Sequence, residues 1–171
     1  MSINDARDLL IYELSSLRSL EQSILADLPN KVRECTSEQC RTLFQRDQQE
    51  IPREVRNLDQ CFQILGVQPM SVVNHTLEGM VADKQSFLQE NPPPELVELY
   101  NLDTTAKLEQ MEVAAYRSAI NTAEHLGEHE CARVLRENLR LEEQESRDVD
   151  QVFHEVGSRI AGRDRGPGLT L

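Results

Sequence analysis

Tryptophan is absent from this 171-residue chain, and aromatic residues of any kind make up only 4% of it. That leaves no platform on which nucleic-acid bases could stack. Glycine and proline, seven of each, are too few for the repeated tight turns of a sheet protein. No apolar run approaches the ~20 residues needed to span a bilayer. The opening MSINDARD has neither the basic nor the apolar region of a signal peptide. GxSxG, a Cys/His pair in plausible context and a glycine-rich phosphate loop are all missing, so classical hydrolase chemistry has no footing. Basic charge is also short: 18 Lys and Arg face 30 Asp and Glu, for a net charge of −12. Such a chain is repelled by phosphate backbones and anionic lipid, which excludes nucleic acid and membrane surfaces and leaves cations as favoured partners. Cys35, Cys40, Cys61 and Cys131 show no CxxC spacing, and three of the four fall on apolar helical faces. A reducing cytoplasm is the expected location.

What is present is helical periodicity. A first helix starts near Asn4 behind a Ser2-x-x-Asp5 capping box and carries Leu10, Leu14, Leu17, Ile24 and Leu28 to about Cys35. Thr36 and Ser37 cap a second helix that Gly66 stops. A long connection follows, with a short helix from about Thr76 to Gln89. The third long helix runs from about Glu95 to Leu126 and the fourth from about Glu128 to Val156. Residues 157–171 lose periodicity and are expected to be a disordered tail, leaving 1–156 as one domain. Two hairpins joined by a long crossover have the connectivity of a ferritin-like bundle. The expected fold is therefore all-α, a ferritin-like four-helix bundle whose crossover carries a short extra helix.

Acidic residues interrupt every apolar stripe. Glu21 sits in the first helix's series, and Asp47, Glu50 and Glu54 fill the middle of the second. Glu109 and Glu112 stand in the third, Glu142 and Glu145 in the fourth. Counted from the turns at Thr36 and Gly127, Glu21, Glu50, Glu112 and Glu142 each lie 14 or 15 residues away, roughly 21–23 Å along their helices. That is mid-bundle for both hairpins, so the four are expected to converge. Glutamate is also a favoured filler of exposed helix positions, and any one of these residues taken singly reads equally well as solvated.

Carboxylates are rarely buried without partners, and several facing one another must share protons or take cations. Carboxylate oxygen suits iron and manganese, and glutamates that bridge can hold two ions side by side. The usual carboxylate di-metal site adds a histidine three residues beyond a glutamate on two helices. Arg53 follows Glu50 at that spacing and Glu145 follows Glu142, so both histidines are missing. His75, His125, His129 and His154 lie in loops or near helix ends.

The segment KLEQMEVAAYRSAINTAEHLG, Lys107 to Gly127, resembles the pattern K-V-E-H-Y-E-I-A-x-Y followed by A-E-x-L-G of the YciE/YciF family of ferritin-like bacterial stress proteins. SLEQSILADLP around Glu21, the run Arg56 to Gln60 and TLEGMVAD from Thr76 are similar to that family's first helix, second helix and crossover. The resemblance places Glu21, Glu50, Glu109, Glu112 and Glu142 on family carboxylates, with Glu54 and Glu145 beside them. Gln110 stands where the family's third-helix motif has histidine, and Pro52 is unusual. The resemblance implies a cytoplasmic homodimer linked to stress, holding two Fe or Mn ions. The competing expectation is a non-enzymatic structural or adaptor stress protein with a degenerate metal site.

Overall fold

The computed structural model of the chain describes residues 3–164. Among the described residues are five helices: α1 (Ala6–Glu34), α2 (Glu38–Leu65), α3 (His75–Gln89), α4 (Pro94–His125) and α5 (His129–Asp164). Local chemistry sets the ends. Asp5 caps α1, its carboxylate accepting from the Asp8 N–H at 2.8 Å, while Asp8 in turn accepts from the Asn4 N–H at 3.0 Å. The cap expected from Ser2 is therefore supplied by Asp5, and Ser2 lies outside the described residues. Ser37 caps α2, and Gly66 ends it in the left-handed region at φ 67°, which glycine adopts without steric cost. Pro94 opens α4 at its first turn, where a missing N–H costs nothing. Both α1 and α2 continue through an internal proline, Pro29 and Pro52.

The four long helices pack in a ring, α1 against α2 and α4, and α5 against α4 and α2. Short turns close the α1–α2 and α4–α5 hairpins at opposite ends of the molecule. One apolar cluster joins Leu10, Leu14, Leu58, Phe62, Tyr116, Ala123, Cys131 and Leu135 near the α4–α5 turn. The other joins Leu28, Cys40, Phe44, Ile51, Leu102, Val149 and Val156 near the α1–α2 turn. Helices α2 and α4 both run from the second cluster to the first, so the chain between them must return along the full length. That return is the crossover carrying α3, which buries none of its own residues. No helix among the described residues is long and apolar enough to cross a membrane.

Glu98 fixes the α1–α2 corner. It is fully buried, and both its oxygens are used, accepting from the Thr36 hydroxyl and from the Ser37 hydroxyl and N–H. Arg159 approaches to 3.7 Å. Burial works against this charge, but the Ser37 and Thr36 donors and Arg159 outweigh it and hold the carboxyl below its ordinary range.

The expected end of the fourth helix at Val156 is corrected, since α5 runs on to Asp164. The apolar stripe continues one turn past Val156 to Ile160, which packs on the second cluster. Gly157 faces Leu99, whose Cδ1 lies 3.7 Å from where a glycine Cβ would stand. A helix interior tolerates one glycine at about 1 kcal/mol, and the packing here offsets it. Of the expected disordered tail, 157–164 is helical and 165–171 lies outside the described residues. Ile160→Asp is predicted to lower the midpoint of thermal unfolding by several degrees, equivalent to about 1–2 kcal/mol. Circular dichroism measures this, and an unchanged midpoint would show that 157–164 adds nothing to the fold.

Candidate metal centre

Between the two apolar clusters lies a layer of buried acid. Glu21, Asp47, Glu54, Glu109, Glu112, Glu142 and Glu145 are each 7% exposed or less. All four long helices contribute, as the sequence requires. The α1 stripe passes through Glu21. The α2 stripe passes through Asp47, Ile51, Glu54 and Leu58 at steps of four, three and four. Helix α4 turns Glu109 and Glu112 inward, and α5 turns Glu142 and Glu145 inward.

These carboxylates form three overlapping groups, in each of which one oxygen per residue lies within 4.8 Å of the others: Glu21 with Glu112 and Glu142, Glu54 with Glu142 and Glu145, and Asp47 with Glu50 and Glu145. Glu142 belongs to the first two and Glu145 to the last two. The arrangement is a chain of three adjoining acidic pockets, the inner two joined by Glu142. Glu109 belongs to none of the three but lines the same cavity.

Glu50 departs from expectation. Its side chain is 34% exposed and ion-paired with Arg46 at 3.6 Å, so it stands at the rim. The interior α2 carboxylates are Asp47 and Glu54, one turn to either side of it. The helical period explains the shift, because 47, 51, 54 and 58 share a face and 50 flanks it. Arg53 lies outside, 3.6 Å from Glu137. At the histidine spacing from Glu54 stands Asn57, whose amide nitrogen donates to Asn138 at 2.6 Å. No histidine belongs to any of the three acidic groups.

Two neighbours escaped the sequence reading. Asn138 is fully buried and donates both to the Tyr116 hydroxyl at 3.0 Å and to the Glu54 carbonyl at 3.1 Å. Tyr116 passes this on, donating to Glu21 Oε1 at 2.7 Å. A polar residue on the α5 stripe between Leu135 and Glu142 was the available signal. Lys31, 6% exposed, lines the same cavity with its Nζ 2.8 Å from Thr105 Oγ1. Burial pushes its pKa down, opposed chiefly by Asp27 and Glu109. Its signal was weak, since a lysine near a helix end reads as solvated.

The electrostatics are unbalanced. Seven carboxylates face one ammonium inside the layer, with Arg46 at the rim. Asp47 Oδ1, both Glu54 oxygens, Glu109 Oε2, Glu112 Oε1, Glu142 Oε1 and Glu145 Oε1 are buried without a hydrogen-bond partner. The contrast with Glu98, equally buried and fully partnered, is sharp. Burial pushes every carboxyl of the layer up. Asp47 reaches about 7 despite the attraction of Arg46, and Glu112 and Glu142 go well above the ordinary range, with repulsion by Glu21 and Glu112 respectively adding to burial. The Tyr116 phenol is likewise pushed up by burial and by Glu21, so it remains a donor. Buried carboxylates in this number are neutralised either by protons or by cations. The chemistry of the donor set, all oxygen with unfilled lone pairs, fits hard divalent ions.

A carboxyl whose folded pKa lies above its unfolded value stabilises the fold fully below the unfolded pKa. That contribution is lost as pH rises through the folded pKa. For Asp47 the window is about 4 to 7, and its neighbours extend the loss upward. The metal-free protein is therefore predicted to be more stable at pH 5 than at pH 8, as chemical denaturation with chelator present will show. Equal stability at the two values would mean that the layer is already neutralised by something other than protons.

The family described as "Domain of unknown function (DUF892)" matches residues 5–161. Protein YciF of Escherichia coli strain K12 is 24% identical over 152 residues, covering 87% of this chain and 89% of its own. The crystal structure of that E. coli stress protein superposes with a TM-score of 0.83 at 19% identity, covering 91% of this chain and 98% of the other. YcfI from Rhodopseudomonas palustris gives a TM-score of 0.82 at 24% identity, over 87% and 95% of the two chains. With 157 consecutive residues matched by one family, the chain belongs to the family of domain of unknown function DUF892.

Proposed function

We propose that this protein is a ferritin-like four-helix bundle that binds two ions of iron or manganese in its acidic layer. The single observation that carries the reading is the set of buried carboxylate oxygens left without partners on α2, α4 and α5, gathered around the buried Glu21 of α1. Glu21 and Glu112 would hold one ion, Glu54 and Glu145 the other, with Glu142 shared between them. Glu109 and the rim residue Glu50 complete the surroundings. Two divalent cations and Lys31 together supply five positive charges against the seven buried carboxylates, while Arg46 at the rim is paired with Asp148 and Glu50. Iron or manganese in such a site supplies redox chemistry towards oxygen or peroxide. The protein's own part is to position the oxygens, and it does so through the Asn138–Tyr116–Glu21 chain of hydrogen bonds. The name stress protein carried by E. coli YciF supports placing this chemistry in a stress response.

Manganese titration followed by calorimetry, with elemental analysis of protein from iron- or manganese-supplemented cells, tests the proposal. Glu142→Gln is predicted to weaken binding of both ions by more than about tenfold, because it serves both pockets. Glu50→Gln should have a smaller effect. A wild-type protein that binds neither metal and gains no thermal stability from them would overturn the reading.

The second reading is a structural or adaptor role with a degenerate site. It is favoured by the missing histidines, and by the close approach of the Glu21, Glu112 and Glu142 carboxyls, where shared protons do the work of cations. Under that reading Glu21→Gln with Glu142→Gln leaves stability and metal content unchanged.

A homodimer belongs to the same proposal. Helix α3 buries no residue of its own yet exposes Val81 (48%) and Leu88 (37%), two turns apart on one face of the helix. Exposed apolar side chains grouped in this way mark an association surface, and a second copy is the proposed occupant. Val81→Glu combined with Leu88→Glu is predicted to convert the dimer to a monomer in light scattering. An unaltered mass would place the interface elsewhere.

A further inference from the structure

All four cysteines are free and buried, and they fall into two neighbouring pairs at opposite ends of the bundle. In one, the Cys61 Sγ sits 3.8 Å from the Cys131 carbonyl oxygen, and both residues are fully buried. In the other, the sulfurs of Cys35 and Cys40 are 2.8 Å apart. That separation is inside ordinary contact between two sulfurs and less than 1 Å longer than the ~2.05 Å of a disulfide. From this geometry we infer that Cys35 and Cys40 are a peroxide-responsive dithiol that closes to a disulfide across the α1–α2 corner.

The corner holds the pair in place. Cys35 is the residue that ends α1, and Cys40 lies in the first turn of α2 with its N–H on the Ser37 Oγ at 3.3 Å. Arg41 donates to the Cys35 carbonyl at 3.2 Å, and Glu98 ties down Thr36 and Ser37 between the two cysteines. Each backbone segment is pinned, so closure needs only small side-chain rotations. Cys35 is also the most exposed of the four cysteines, at 6%, against 0% for the other three. As the least buried residue of the four, it is the one placed nearest to an incoming small oxidant. Hydrogen bonding to Cys35 and burial both push the Cys40 thiol up and keep it protonated.

The balance is closed by one hydrogen peroxide. The Cys35 sulfur attacks a peroxide oxygen, the O–O bond breaks, water leaves and Cys35 becomes a sulfenic acid. The Cys40 sulfur then attacks that sulfur, the S–O bond breaks and a second water leaves with the thiol proton. Two thiols and one peroxide become one disulfide and two waters, and a thiol reductant reverses the change.

Arg33 and Arg41 bracket the pair, so trypsin releases both cysteines on the single peptide 34–41. Native full-length protein is treated with hydrogen peroxide, denatured, alkylated with iodoacetamide, digested and analysed by mass spectrometry. The expected result is peptide 34–41 unalkylated and lighter by two hydrogen atoms, reverting to the doubly alkylated form after dithiothreitol. In Cys40→Ser the resolving sulfur is gone, and Cys35 should be trapped by dimedone as its sulfenic acid. Should Cys40→Ser not fold, the wild-type peptide still decides. Peptide 34–41 remaining doubly alkylated, or Cys61 and Cys131 linking while it does, would overturn the inference.

Discussion

The penalty for holding carboxylates out of water governs this molecule. One such group, Glu98, meets it by accepting hydrogen bonds on both oxygens and facing an arginine. Seven others, in the central layer, have no comparable set of donors. A dry interior does not tolerate that many unpaired negative charges, so the layer exists only with protons or metal ions in it. The fold and the proposed chemistry are two consequences of that one electrostatic demand.

The architecture makes the demand possible. Each end of the helix ring is closed by an apolar cluster, and these keep solvent from the acids between them. Because the two tight turns lie at opposite ends, the middle is the one height at which residues equally far from each turn meet. The crossover is the price of that arrangement: running α2 and α4 in the same direction demands a return strand of chain along the outside. Helix α3 is what the return leaves on the surface.

Much of this was legible in the sequence, because helical periodicity is a strong signal over stretches of about thirty residues. The helices, the crossover and the inward acids of α1, α4 and α5 follow from stripes such as Leu10–Leu14–Leu17–Glu21 and Leu135–Glu142–Val149. Misreadings arose where periodicity was diluted. In α2 the run Asp47, Glu50, Glu54 offered three acids over two turns, and counting from the turn selected Glu50, one position off the buried face. At the end of α5, Gly157 reads as a stop, yet Ile160 one turn on restores the stripe and Leu99 covers the glycine. Lys31 and Glu98 carry no pattern of their own. Their burial is decided by which neighbours another helix brings, something a single stripe does not encode.

The division of the acids between hairpins bears on how the chain assembles. The α1–α2 hairpin carries Glu21, Asp47 and Glu54, and the α4–α5 hairpin carries Glu109, Glu112, Glu142 and Glu145. Neither half alone encloses the layer, so repulsion rises steeply only at the step when one hairpin lands on the other. Docking must therefore coincide with the uptake of positive charge, which makes the last stage of folding a titration as much as a collapse.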